Sequence, residues 1–374
     1  MATAPKDWYL IDNIDQLDSP ALVVYPQRVK ANMRLAIEMV GGDPARLRPH
    51  IKTHKSPDVT KLLLEAGVSK FKCATIAEAE MLAMTGAKDV LLAYQPVGPK
   101  LQRFIALIKK YPDTKFACLT DNETALSDMA RAFDQAGIIV PIYLDLNVGM
   151  GRTGISPGAE AFRLYSTAAV TKGVMPVGLH GYDGHIRDRD FEQKKQKVDE
   201  AFAAVTALKQ AIRQANLPIP VIVAGGSPSF SVHSKRQDVE CSPGTFVYWD
   251  KGYCDGCPEQ GFQPAALVVT RVVSLPAPGR LTLDLGHKSI AAENELSRRV
   301  SFLGVEGWTA VGQSEEHLVY ETGFVTLHKP GDIVYGIPFH ICPTVNLYER
   351  AFIIEEGRWT GEWRNTARDK KITV

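Results

Sequence analysis

Along the first two thirds of the chain, short apolar runs alternate with stretches whose apolar residues return every three or four positions. The runs are PALVVY (Pro20 to Tyr25), LRPHIK (Leu47 to Lys52), FKCA (Phe71 to Ala74), VLLAY (Val90 to Tyr94), FACL (Phe116 to Leu119), VPIYLDL (Val140 to Leu146), PVGLHGY (Pro176 to Tyr182) and PVIVAGG (Pro220 to Gly226). Segments this short and this rich in Val, Ile and aromatic residues predict buried strands. Between them, RVKANMRLAIEMV, IAEAEMLAMTG and DFEQKKQKVDEAFAAVTALKQAIRQA each carry one apolar face at helical spacing. Alternation of strand and helix calls for a parallel sheet, and eight such units predict its closure into an α/β, TIM-like (β/α)8 barrel. An open doubly wound sheet is the competing arrangement.

From about Phe262 the texture changes to AALVVTRVVSL, RLTLDLG, LVYET, DIVYGI and RAFIIEEG, joined by Gly, Pro and polar turns. That pattern predicts a mostly β domain. The expected division is a barrel over residues 18–258 and a β domain over 259–374, with residues 1–17 packing on the latter. At 374 residues and 45% hydrophobic, the chain has apolar surface enough for both.

Lys and Arg total 43 against 42 Asp and Glu, so no net field draws the protein to nucleic acid or an anionic membrane, and a small-molecule partner is expected. The N-terminal MATAPKDWYLIDNID has acidic residues where a signal peptide needs an apolar run, and no stretch is apolar for the length of a membrane span. Six thinly spread cysteines do not form a disulfide framework. The expectation is a soluble, cytoplasmic protein.

The densest cluster of reactive groups is Arg48-Pro49-His50-Ile51-Lys52-Thr53-His54-Lys55, where the second run gives way to its loop. Barrel active sites assemble at the C-terminal ends of strands. Strand alternation would send Arg48, His50 and Lys52 to one face, where desolvation and neighbouring positive charge would lower the amine's pKa and sharpen it as a nucleophile. On spacing alone, a solvated basic loop is an equal reading. VAGGSPSF (Val223 to Phe230) offers glycines and hydroxyls after the last run, the composition of a phosphate-cradling loop or of an ordinary turn. His340-Ile341-Cys342, read as a strand, places an imidazole and a thiol on one face, where they can converge on one ion. Cys254-Asp255-Gly256-Cys257 lacks a second ligand pair, and no metal is expected there.

RPHIKTHK, following SPALVVY, resembles the D-threonine aldolase and D-serine dehydratase family of fold-type III, alanine-racemase-like pyridoxal 5′-phosphate (PLP) enzymes. The resemblance runs over nearly the whole chain in motif order. It implies that Lys52, rather than Lys55, bears PLP, with His50 beside it. It implies a phosphate cup of Gly225, Gly226 and Ser227, completed by Gly244 and Thr245 of CSPGTFVYWDKGY, although Ser227-Pro228 stands where the family has glycine and threonine. It implies cofactor contacts for Arg152 in DLNVGMGRTGI and Tyr182 in LHGYDGHIRD. Asp183 and His185 depart from the family pattern, and His185, Glu316 and His317 are candidates for proton transfer. His340 and Cys342 would hold a divalent ion, zinc or manganese, close to the PLP. The implied activity is a lyase acting on D-β-hydroxy-α-amino acids, first a D-threonine-aldolase-type cleavage to glycine and an aldehyde. The alternatives are a D-serine or D-3-hydroxyaspartate dehydratase and a noncatalytic PLP carrier. A homodimer is expected from the family.

Overall fold

The computed structural model describes residues 7–323 and 328–374. Its first strand, β1 (Ala21–Val24), does not enter the barrel, contrary to the expectation for PALVVY. It pairs antiparallel with β9 (Ala266–Ala277) and parallel with β15 (Arg350–Glu355) in the sheet of the C-terminal half. All four of its residues are apolar and buried: Leu22 and Val24 face the barrel-side core, and Ala21 and Val23 face the core of the β half. A strand buried on both faces reads as a continuous apolar run, so the sequence pattern does not reveal which sheet claims it.

The barrel sheet has seven parallel strands in sequence order: β2 (Lys70–Cys73), β3 (Asp89–Leu92), β4 (Lys115–Thr120), β5 (Val140–Leu146), β6 (Val174–Gly181), β7 (Val221–Ala224) and β8 (Val239–Cys241). Segment 47–51 closes the gap between β8 and β2. Arg48 N–H donates to the Cys241 carbonyl (2.8 Å), Ile51 N–H to the Lys72 carbonyl (2.9 Å), and Lys72 N–H to the Pro49 carbonyl (2.8 Å). Pro49 has no N–H, so this stave makes isolated bridges rather than a regular ladder. PVIVAGG is therefore the seventh stave rather than the eighth. The last is β8, where the central Glu240 and the flanking Asp238 and Ser242 gave no strand signal.

Helices cover the barrel: α1 (Pro26–Met39), α2 (Pro57–Glu65), α3 (Ile76–Met84), α4 (Pro99–Lys110), α5 (Glu123–Gln135), α6 (Ala159–Val170) and α7 (Phe191–Gln214). Several start on side-chain caps, Ser56, Thr75, Asn122 and Asp190, each accepting a backbone N–H of the first turn. Two short helices follow, α8 (Phe230–His233) and α9 (Lys251–Gly256).

In the β half, β9 is joined by β10 (Arg280–Leu283), β11 (Val300–Phe302), β12 (Thr309–Gln313), β13 (Leu318–Glu321), β14 (Ile333–Pro338), β15 and β16 (Arg358–Arg364). Helix α10 (Ile341–Leu347) interrupts the strands and packs its buried Ile341 and Val345 into the barrel-side core. Ile11 and Leu17 lie in the apolar cluster of β1, β9 and β14. No helix among the described residues is long and apolar enough to cross a membrane.

Candidate active site

At residues 51–54 the chain leaves the barrel in a turn, with His54 N–H and Lys55 N–H both donating to the Ile51 carbonyl. That turn sends the two lysines of RPHIKTHK in different directions. Lys55, held at φ +52°, is buried and pairs with the fully buried carboxylate of Glu78 at 2.5 Å. Among the described residues Lys52 forms no ion pair with a carboxylate. Its amine stands in a recess that water reaches but protein surrounds, 3.8 Å from the Cys342 sulfur.

The charge of that thiol raises the Lys52 pKa above its ordinary value. This reverses the expected lowering. Arg48, supposed to be its neighbour, lies buried in the barrel and is neutralised by Glu240 (2.7 Å) and Asp89 (2.6 Å).

Cys342 is buried, which opposes ionisation, yet Lys52 and a hydrogen bond with His340 bring its pKa down to about 6. Thr53 Oγ1 lies 3.1 Å from the sulfur and Thr245 Oγ1 3.7 Å. His340 hydrogen-bonds Glu293 through Nδ1, and despite partial burial the Cys342 contact lifts its pKa to about 9. The two residues converge differently from the expected strand. β14 ends at Pro338, His340 sits at the N-cap of α10, and Cys342 lies in its first turn. Asp250 anchors this corner, accepting N–H groups from Ile341 (3.0 Å) and Tyr253 (2.9 Å). Burial and the neighbouring thiol raise its pKa to about 7.

The two glycine-containing loops meet. Ser227 Oγ accepts the N–H groups of Gly244 (3.3 Å) and Thr245 (3.0 Å), so the segment after β7 and the segment after β8 form one cup. A Cβ at Gly244 would meet the His50 carbonyl at 2.7 Å, and one at Gly226 would meet the Tyr182 ring at 2.7 Å. Gly225, at φ +72°, makes the sharp turn between them. Asp183, singled out in the sequence only as a departure from the family pattern, helps hold this cup with two residues that sequence reasoning missed, His233 and Gln260. Asp183 accepts from Ser229 Oγ (2.5 Å) and pairs with His233 (2.8 Å), and Gln260 donates to the Ser227 carbonyl (2.7 Å). No sequence signal marks these pairings, because the partners are far apart along the chain.

Inside the barrel below the mouth, Lys72 Nζ lies 3.4 Å from His180 Nε2, whose Nδ1 is 2.7 Å from Asp145. Burial lowers the Lys72 pKa to about 7 and, with Lys72, depresses those of His180 and His50. The exposed guanidinium of Arg152 stacks over the Tyr182 ring at 5.0 Å. His185 is exposed and lies over Gly149, while Glu316 and His317 sit exposed in the turn between β12 and β13, where Glu316 pairs with Lys288 at 3.2 Å. Those three do not join the contacts around Lys52 and Cys342. Cys254 and Cys257 are free, and among the described residues no group of three or more metal-ligating side chains assembles.

Residues 24–251 match the family described as alanine racemase, N-terminal domain, and residues 265–354 match a serine dehydratase domain. The chain belongs to the alanine racemase N-terminal domain family. It is similar to a D-threonine aldolase from Arthrobacter sp, 27% identical over 96% of this chain and 94% of that protein. It is also similar to a 3-hydroxy-D-aspartate aldolase from Paracoccus denitrificans (strain Pd 1222), 26% identical over 95% and 93%. Among solved structures, the D-threonine aldolase from Filomicrobium marinum superposes with a TM-score of 0.85 at 25% identity, covering 94% of this chain and 96% of that one. Similar proteins thus include a D-threonine aldolase, hydroxyaspartate aldolases and a hydroxyaspartate dehydratase over nearly the whole chain, and alanine racemases over about half of it.

In this alanine-racemase-like chain, one amine without a carboxylate, a backbone cup closed against added side chains and a thiolate–imidazole pair share one mouth. The amine can bond an aldehyde, the cup can hold an anion on N–H groups, and the sulfur and ring can donate to one cation.

Proposed function

We propose that the chain is a PLP-dependent lyase that cleaves D-β-hydroxy-α-amino acids in the manner of a D-threonine aldolase, giving glycine and an aldehyde. The observation that carries this reading is the division of labour between the two lysines. Glu78 neutralises Lys55, and Lys52 alone offers its amine at the mouth, beside the cup and the sulfur. The cofactor residues are Lys52, His50, Arg152, Tyr182 and the cup of Gly225, Gly226, Ser227, Gly244 and Thr245. His340 and Cys342, with only two protein donors, would hold a divalent ion, zinc or manganese, with room left for substrate.

PLP supplies an electron sink at Cα, and the divalent ion a Lewis acid for the β-hydroxyl. The chain's own part is positional. Glu293 fixes the His340 ring, Thr53 and Thr245 fix the Cys342 sulfur, and Lys52, whose amine stands beside that sulfur, would hold or move a proton there. A second reading, dehydration to a keto acid and ammonia, is supported by the Lys52–Cys342 contact, since an amine that would take the Cα proton lies beside the sulfur that would hold the ion for the hydroxyl.

D-Threonine separates the two. The expected products are glycine and acetaldehyde, and predominant 2-oxobutyrate would select dehydration instead. Borohydride should fix PLP to the peptide containing Lys52. Label on Lys55, or none, would remove the cofactor assignment.

A further inference from the structure

Lys72, Asp145 and His180 are each the penultimate residue of their strands, β2, β5 and β6, and so stand at one level just beneath the mouth. The register sets Asp145 opposite His180, and His50 joins them through its bridge to Lys72. Lys72 lies opposite Leu91, which belongs with Leu119 and Val223 to the apolar cluster inside the barrel, so its amine enters an apolar interior and is only 2% exposed. Asp145 accepts the Nδ1–H of His180 at 2.7 Å, which leaves the Nε2 lone pair facing Lys72 Nζ at 3.4 Å. Among the described residues this is the only hydrogen bond of an ammonium that has three protons to donate, and no carboxylate pairs with it. Elsewhere in the fold buried cations are matched: Arg48 by Glu240 and Asp89, Lys55 by Glu78, and Lys194 by Glu259. An unmatched buried charge is costly, so the amine calls for an anion from outside the chain.

Around the barrel the order is β7, β8, the stave at residues 47–51 and β2. The cup follows β7 and β8, Lys52 leaves the stave, and Lys72 stands on β2, so Lys52 lies between the cup and Lys72. In PLP the ring carbon that bears the aldehyde likewise lies between the carbon carrying the phosphate arm and the carbon carrying the phenolic oxygen. We propose that Lys72 is the counter-ion of an anionic ligand oxygen at the mouth, and that the matching order assigns this oxygen to the phenolate of PLP. The inference rests on the reading of Lys52 as the PLP-bearing residue and adds to it a binding residue on β2.

The test is binding of PLP and of its 3-deoxy analogue, which lacks only the phenolic oxygen, to the cofactor-free full chain, followed by absorbance. Lys72→Met removes an unmatched buried charge and keeps the fold. It should weaken PLP about tenfold or more, as loss of a charge-assisted hydrogen bond predicts, and leave the 3-deoxy analogue within about twofold. Lys72→Gln, a donor without charge, should fall between the two and carries the same comparison if methionine disturbs the layer. Equal weakening of both cofactors, or of neither, overturns the phenolate assignment while attachment at Lys52 stands. D-Alanine and D-alaninamide, which differ in the carboxylate, then separate the remaining source on the PLP-loaded protein. A loss in the variant confined to D-alanine would give Lys72 to the substrate's carboxylate, and no difference would overturn the counter-ion role altogether. If wild type attaches neither cofactor at Lys52, the lyase reading itself falls and takes the inference with it.

Discussion

Lys72 is the residue whose position is most at odds with its chemistry: an amine buried inside the barrel, 3.4 Å from a histidine and, among the described residues, paired with no carboxylate. Burial takes its pKa from 10.5 to about 7. The unfolded chain therefore binds a proton that the native state resists over that range. The resulting penalty is absent above pH 10.5, grows as pH falls, and is complete below about 7. Lys72→Met should stabilise the protein at pH 7 by roughly 2–4 kcal/mol and by much less near pH 10.5. Denaturant melts of both proteins at the two pH values measure this, and an equal difference at both would contradict it. Lys72 reads in sequence as one cation in KFKC. Its inward direction depends on the parallel register that sets it opposite Leu91 and bridges it to His50.

Among the elements, the stave at residues 47–51 matters most, because it closes the barrel and then releases Lys52 at the mouth. Its closure depends on Arg48, which spans Glu240 in β8 and Asp89 in β3 from a fully buried position. Arg48→Met would leave those carboxylates short of a partner and should cost about 3 kcal/mol. Hydrogen exchange should speed up in β2 and β8 before β4 and β5. Uniform acceleration, or no loss of stability, would show that closure does not depend on this residue. The run LRPHIK was readable as a strand, and the family resemblance singled out Lys52. The role of Arg48 was not readable, since its partners lie 41 and 192 positions away. The same holds for His340 and Cys342. Their spacing suggested a shared strand face, but a chain corner pinned by Asp250 brings them together.

For the whole molecule, β1 joins the two halves. Its side chains alternate between the two cores, and its backbone is bonded on both sides to strands more than two hundred residues later. The halves should therefore unfold together. Residues 18–258 expressed alone would expose Ala21 and Val23 and leave β1 without β9 or β15, so the fragment should show no cooperative melt. The full chain should unfold in a single calorimetric transition. A fragment that melts cooperatively by itself would show that β1 is dispensable to the barrel.

The sequence by itself determined the repeating strand–helix order, the change to β texture near Phe262, the near-neutral surface and the cluster around Lys52. Those features depend on local periodicity and on residue types within a few positions of one another. Tertiary structure alone decided which sheet β1 joins, that β8 completes the barrel, which lysine is neutralised, and that a thiol raises rather than depresses the Lys52 pKa. It also left His185, Glu316 and His317 outside the contacts at the mouth. Each of these outcomes depends on burial and on charges brought together from distant positions. Both are properties of the packed chain, which local periodicity does not encode.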